Sequence, residues 1–152
     1  MSVHVRLTVA GEAYAVPVGS VLEVVPLGEV TDVPGSRAEL LGVLNLRGQI
    51  LAVADLAPIL GLGRTVPADP APVAGPAGRP EGSVMMVAES AGRQAGFVID
   101  EVSGVGELGD PTEPTESPVL AGATLAGGDL IGVIDLDRVF DALAEPPASG
   151  RP

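Results

Sequence analysis

The chain has 152 residues, a formal net charge of −12 and no cysteine. So acidic a protein is a poor partner for nucleic acid, which requires a positive face, and an anionic lipid surface is disfavoured for the same reason; without thiols it has no disulfide, zinc–thiolate centre, iron–sulfur cluster or cysteine nucleophile. Apolar residues make up 46% but aromatics only 2% (Tyr14, Phe97 and Phe140), so a sizeable core must be built from Val, Leu, Ile and Ala.

The first predicted element is a strand. Val3, Val5, Leu7 and Val9 alternate with His4, Arg6 and Thr8, the period of a half-buried strand. The same stretch lacks a basic-then-apolar leader pattern, and no apolar run in the chain is long enough to span a bilayer; the expectation is a cytoplasmic protein without membrane insertion. Gly11-Glu12 turns the chain, and "YAVPVGSVLEVVPL" continues extended, too rich in Val, Pro and Gly for a helix. "GEVTDVPG" reads as a strand end and turn, and 36–41 as a short helical turn. "VLNLRGQILAVADL" reads as two apolar strands around Gly48, with Arg47 set among them, and "APILGLG" as one helical turn stopped by glycine.

Residues 64–82 carry five prolines and three glycines, the composition of a linker or long loop. "SVMMVAES" and "RQAGFVIDEVSGV" read as further strands, "GDPTEPTESP" as an acidic proline-rich loop, and "GGDLIGVIDLDRVFDAL" as a last strand and a short terminal helix. Residues 144–152 read as a tail that frays.

An internal repeat runs across the linker. At an offset of 80, Gly42 and Gly48 fall on Gly122 and Gly128, and Val53, Asp55 and Leu56 fall on Val133, Asp135 and Leu136. At 81, Val18, Val21 and Val24 meet Ile99, Val102 and Val105. Two glycines and a V-x-D-L in one register point to two related β lobes, about 12–62 and 83–143, with the strand at 3–10 a candidate for sharing. Closed small barrels suit such short strands, because closure removes sheet edges.

Catalytic patterns are weak. His4 is the one histidine, expected to be solvated on the polar side of its strand. No Ser, His and Asp set clusters as a nucleophile needs, so no catalytic residue is assigned. Gly104 to Gly109 fits G-x-G-x-x-G, but Asp110-Pro111 follows where a phosphate-binding helix would start. Asp135 and Asp137 lack further ligands for a metal and read as strand-end caps. Asp110, Glu113 and Glu116 read as a solvated loop. Neither metal nor cofactor is expected.

Three blocks carry a family resemblance: "YAVPVGSVLEVV", "VTDVPG" and "GVLNLRGQILAVADLAPILG". The second half adds "AGFVIDEVSGV", the acidic loop and "LAGATLAGGDLIGVIDLDRVF". Together, from about Val5 to Leu143, they resemble the CheW-like family of bacterial chemotaxis. The resemblance implies an all-β fold: two five-stranded SH3-like barrels packed together, with short connecting and C-terminal helices. It implies a non-catalytic adaptor that couples the cytoplasmic tip of methyl-accepting chemoreceptors to the regulatory domain of the histidine kinase CheA, in receptor clusters at the inner face of the membrane. It also implies a charge pair of Arg47, in N-L-R-G, with Glu23 at the adaptor's working surface. Val21, Val30 and Gly42 match first-lobe contact positions, and Gly96, Val102 and Val105 match second-lobe groove positions.

An arginine needs a carboxylate partner in apolar surroundings, and Glu23 is the odd charge in "VGSVLEVVPL", so the pairing also follows from chemistry. A structural salt bridge, or an arginine on a solvent-facing turn, accounts for the same residues. For each valine ordinary core is the competing role, and for Gly96 a close backbone approach. The linker departs from the family pattern in its Pro, Ala and Gly content. A module of a non-flagellar pathway, or a detached kinase regulatory domain, keeps the fold and changes the context. A small acidic enzyme using Asp55, Asp135 or Glu23 as paired carboxylates is the alternative of another class; the repeated V-x-D-L argues instead for a shared turn.

Overall fold

A computed structural model describes residues 2–32, 39–62 and 84–144. The alternating stretches form ten strands: β1 (Ser2–Val9), β2 (Glu12–Pro17), β3 (Val21–Pro26), β4 (Leu40–Leu46), β5 (Gln49–Asp55), β6 (Val84–Ser90), β7 (Arg93–Ile99), β8 (Glu101–Leu108), β9 (Leu120–Ala126) and β10 (Asp129–Ile134). Two helices, α1 (Leu56–Ile59) and α2 (Leu136–Ala144), follow β5 and β10. The linker at 64–82 and the tail after Ala144 lie outside the described residues. So does the first half of the helical turn expected over 36–41, whose last two residues open β4 instead.

Four hairpins turn on two residues each: Ala10-Gly11, Arg47-Gly48, Ala91-Gly92 and Gly127-Gly128. All eight residues have positive φ. This is the type I′ turn, whose twist matches the strands it joins. Asp55 caps α1, its carboxylate accepting from the Ala57 N–H, and Asp135 accepts from the Arg138 N–H at the start of α2. The two V-x-D-L aspartates thus share a local task, holding a helix start against a strand end.

The strands form two five-stranded sheets, ordered β8-β1-β2-β10-β9 and β3-β6-β7-β5-β4. The repeat is real: Leu40 and Leu120 open β4 and β9, Gln49 and Asp129 open β5 and β10, and Leu56 and Leu136 open the helices. But the division expected at the linker is not the division between sheets. The first hairpin of each repeat joins the last three strands of the other. Each sheet has two such joints, one antiparallel (β1 with β8, β3 with β6) and one parallel (β2 with β10, β5 with β7). The cause is the step after each first hairpin. Pro17 and a 3-10 turn at Val18–Ser20 carry the chain out of the first sheet. Asp100 does so for the second, its N–H donating to the Thr8 carbonyl and its carboxylate accepting from the Gly11 N–H.

The largest core lies between the sheets and takes side chains from both, including Leu7, Val9, Leu56, Met86, Phe97, Ile134 and Phe140. Phe97 meets Phe140 edge to face at 5.8 Å between centroids, a favourable aromatic geometry. Each sheet also encloses its own core. The second is filled by Leu27, Leu44, Leu51, Val53, Met85, Val87 and Val98, the first by Ala15, Leu108 and Ile131.

Candidate functional site

β3 and β4 are the outer strands of their sheet, yet they face each other. Val25 and Pro26 line one side of a cleft of about 390 Å³, and Leu44, Asn45 and Leu46 the other. The sheet curls until its two edges nearly meet, as a small barrel does. Arg47 closes this seam at its end. Its guanidinium binds the Glu23 carboxylate, joining the β4–β5 turn to β3.

The pair therefore forms as expected, but not in apolar surroundings. Arg47 occupies the first position of a hairpin turn, with φ +51°. Its side chain is 65% exposed and that of Glu23 32%. The charge stays hydrated because the chain reverses there, so the apolar run around it is two strands with a corner between them. Asn45 braces the corner, its carbonyl oxygen accepting from the Gly48 N–H at 2.8 Å. An exposed ion pair of this kind contributes about 0.2–1 kcal/mol to stability.

The other candidates disperse. Val21 and Val102 are half-buried against the core between the sheets, and Val30 against the core of its own barrel. Gly42 is buried at a register shift in β4. A Cβ on it would sit 2.0 Å from the Thr31 carbonyl oxygen, and its φ is +149°. Gly96 is buried in β7, where a Cβ would meet Met85 Sδ at 2.3 Å. Both glycines therefore serve close approaches. Val105 alone is open, 63% exposed on the outer strand β8.

Three apolar side chains escaped the sequence reading. Leu125 and Leu130 face each other across the β9–β10 hairpin, and Ile50 holds the place of Leu130 in the other repeat; all three are exposed. The offset of 80 had already aligned Ile50 with Leu130, but an apolar residue in an alternating strand gives no sign of which face is covered.

His4 also differs from expectation. It is buried, only 7% exposed, and its Nδ1 lies 3.0 Å from the Ser2 carbonyl oxygen. The loop after β8 and the β10–α2 junction meet this end of β1 around a cavity that His4 also lines, so the polar side of the strand is not plain solvent-facing surface. The G-x-G-x-x-G glycines lie in β8 and the residue after it, and no helix follows. Among the described residues no three metal-ligating side chains converge, and no helix is long and apolar enough to cross a membrane. Asp55 and Asp135 each serve their own helix, and Glu23 serves Arg47, so the three carboxylates do not form one acid–base pair.

The family model described as the CheW-like domain matches residues 4–144. Chemotaxis protein CheW of Thermotoga maritima is 28% identical over 138 residues, which cover 87% of this chain and 83% of that protein. Chemotaxis protein CheW of Rhizobium meliloti is 28% identical over 144 residues, covering 90% and 85%. Among solved structures, the scaffolding protein TtCheW of Thermoanaerobacter tengcongensis superposes with a TM-score of 0.72 at 25% identity, over 89% of this chain and 84% of that one. With both repeats and both sheets inside the matched region, the chain belongs to the CheW-like family.

Proposed function

We propose that this protein is a non-catalytic chemotaxis scaffold that joins the regulatory domain of the histidine kinase CheA to the cytoplasmic tip of chemoreceptors. It works as one domain, because each sheet draws strands from both sides of residues 63–83. Its place is the cytoplasm, at receptor clusters on the inner face of the membrane. The observation that carries this reading is the Arg47–Glu23 pair. A charged fork is held at the open corner of a barrel, and Leu22 and Val24 expose apolar area on the opposite face of the same strand. Central interface residues of that kind dominate binding energy, and arginine is prominent among them. Exposed Ile50, opposite Asn45 in the same hairpin, adds apolar surface beside this corner, and Val105, Leu125 and Leu130 add it elsewhere. Val21, Val30 and Val102 support the walls from beneath, and Gly42 and Gly96 let the strands approach.

The test is calorimetric titration of the protein with the kinase regulatory domain from the same organism. Saturable binding at micromolar affinity or tighter is expected, weakened at least about thirtyfold by Arg47→Ala, the effect of losing a hot-spot side chain. A folded, mostly β sample that does not bind the kinase domain would sink the proposal.

A further inference from the structure

A second concave site opens away from the Arg47 corner. A cavity of about 330 Å³ lies where parts of both sheets come together. β1 contributes His4, the 3-10 turn Ser20, the end of β6 Ser90, the loop after β8 Asp110, and the β10–α2 junction Asp135 and Asp137.

The ionisable side chains around it all offer acceptor atoms. A carbonyl oxygen only accepts, so the hydrogen bond from His4 to the Ser2 carbonyl places the proton on Nδ1. In the neutral ring Nε2 is then a bare acceptor, and nothing among the described residues donates to it. A buried acceptor without a donor is uncommon in folded proteins. The carboxylates also only accept. Asp135 has Arg138 at 3.3 Å, and Asp137 accepts from the Ser90 hydroxyl at 2.5 Å with Arg93 at 3.8 Å. Asp110 has no ion-pair partner among the described residues. No arginine lines the cavity, and serine hydroxyls adapt to either role. The complementary ligand is cationic and rich in N–H donors. A coordinated metal fits poorly, since no three ligating side chains converge among the described residues.

We propose that this cavity binds a small organic cation through a primary ammonium or guanidinium group. Its volume is at the lower end for small-molecule sites, which suits a ligand the size of a short diamine. Bound there, the cation would touch residues of both sheets at the point where Ser90 ties β6 to α2. The proposal does not depend on the adaptor reading.

His4 is the test. As the only histidine in a chain without tryptophan, its ring protons give an isolated signal in a one-dimensional NMR spectrum. Agmatine, which carries both cationic groups, is titrated at fixed pH and physiological salt. Choline, with the same charge per head but no N–H donor, is titrated in parallel. The expected result is a saturable shift of the His4 signal with agmatine and none with choline. Asp110→Asn, on an exposed loop, should weaken agmatine by about tenfold, the effect of losing one charge-assisted hydrogen bond. An unmoved His4 signal, equal responses to the two cations, or unchanged affinity in Asp110→Asn would each overturn the proposal.

Discussion

Gly96→Ala isolates a single contact. Gly96 is in ordinary strand conformation, so alanine brings no backbone strain; the whole cost is space. The new methyl carbon would lie 2.3 Å from Met85 Sδ and 2.8 Å from its Cγ. Met85 is fully buried, packed with Leu51, Val53, Val87 and Val98. A thioether chain is flexible, but these neighbours leave it nowhere free to go. Overpacking a tight core costs about 1–3 kcal/mol, and replacing a strand glycine returns about 0.5–1 kcal/mol. The net expectation is a loss of about 1–2 kcal/mol, or a fall of roughly 0.5–1 M in the urea midpoint for a domain of this size. Met85→Ala alone opens a cavity and costs about 2–5 kcal/mol. In the double variant the Gly96 methyl enters the space that methionine leaves, so the two losses should fall short of their sum by about 1–2 kcal/mol. The assay is urea unfolding of the four proteins, followed by far-ultraviolet circular dichroism. Strict additivity would refute the contact, and a Gly96 cost would then have to arise elsewhere in β7.

Arg47→Ala should cost at most about 1 kcal/mol in urea, since it removes an exposed ion pair, while Arg47→Gly should be near neutral because glycine relieves about 1 kcal/mol of left-handed strain at φ +51°. A loss above roughly 3 kcal/mol for Arg47→Ala would mark the pair as structural and undercut its interface role. Gly42→Ala should be more damaging than Gly122→Ala in the same assay. The first would place a methyl 2.0 Å from a backbone oxygen, the second 3.0 Å, so equal losses would contradict the packing of the two bulges. Tyr14, the only tyrosine, should ionise above its usual 10.0, because burial disfavours the phenolate and Glu12 adds repulsion. The folded form prefers the neutral phenol, so that stabilisation is complete below pH 10.0 and is lost as pH rises through the raised value. Phenolate absorbance should titrate above 10.0 in the native protein and return to the ordinary range in urea.

Much of the fold was readable because period-two alternation, X-Gly corners and the repeated V-x-D-L report local events. Each depends on residues close in sequence: alternating side chains, a positive-φ turn, a carboxylate two or three residues before the N–H it caps. The pairing of Arg47 with Glu23 was legible for the same chemical reason, one lone cation and one lone anion in apolar strands. Its exposure was not, since a corner at Arg47-Gly48 looks like the middle of a run until the register is known. The exchange of hairpins between sheets was hidden altogether. Nothing in β2 says that its free edge will meet β10 in parallel, because that choice rests on contacts more than a hundred residues away in sequence. The burial of His4 was hidden for a related reason: residues 109–111 and 133–137, which line the same cavity, are remote in sequence.

The crossed arrangement of the repeats bears on how such a chain arose. One repeat alone holds a two-stranded hairpin and a three-stranded piece that cannot complete each other, since each pairs with the opposite piece of the other repeat. A single ancestral repeat would therefore have closed its sheets only as a homodimer, each protomer lending its hairpin to its twin. Such a molecule falls apart on dilution. Fusing two copies end to end replaces that dependence with a fixed local concentration. It also frees the copies to diverge, which a symmetric dimer forbids. Arg47 facing a glutamate in one half, where Gly127 stands in the other, is the kind of difference that only the fused chain can hold.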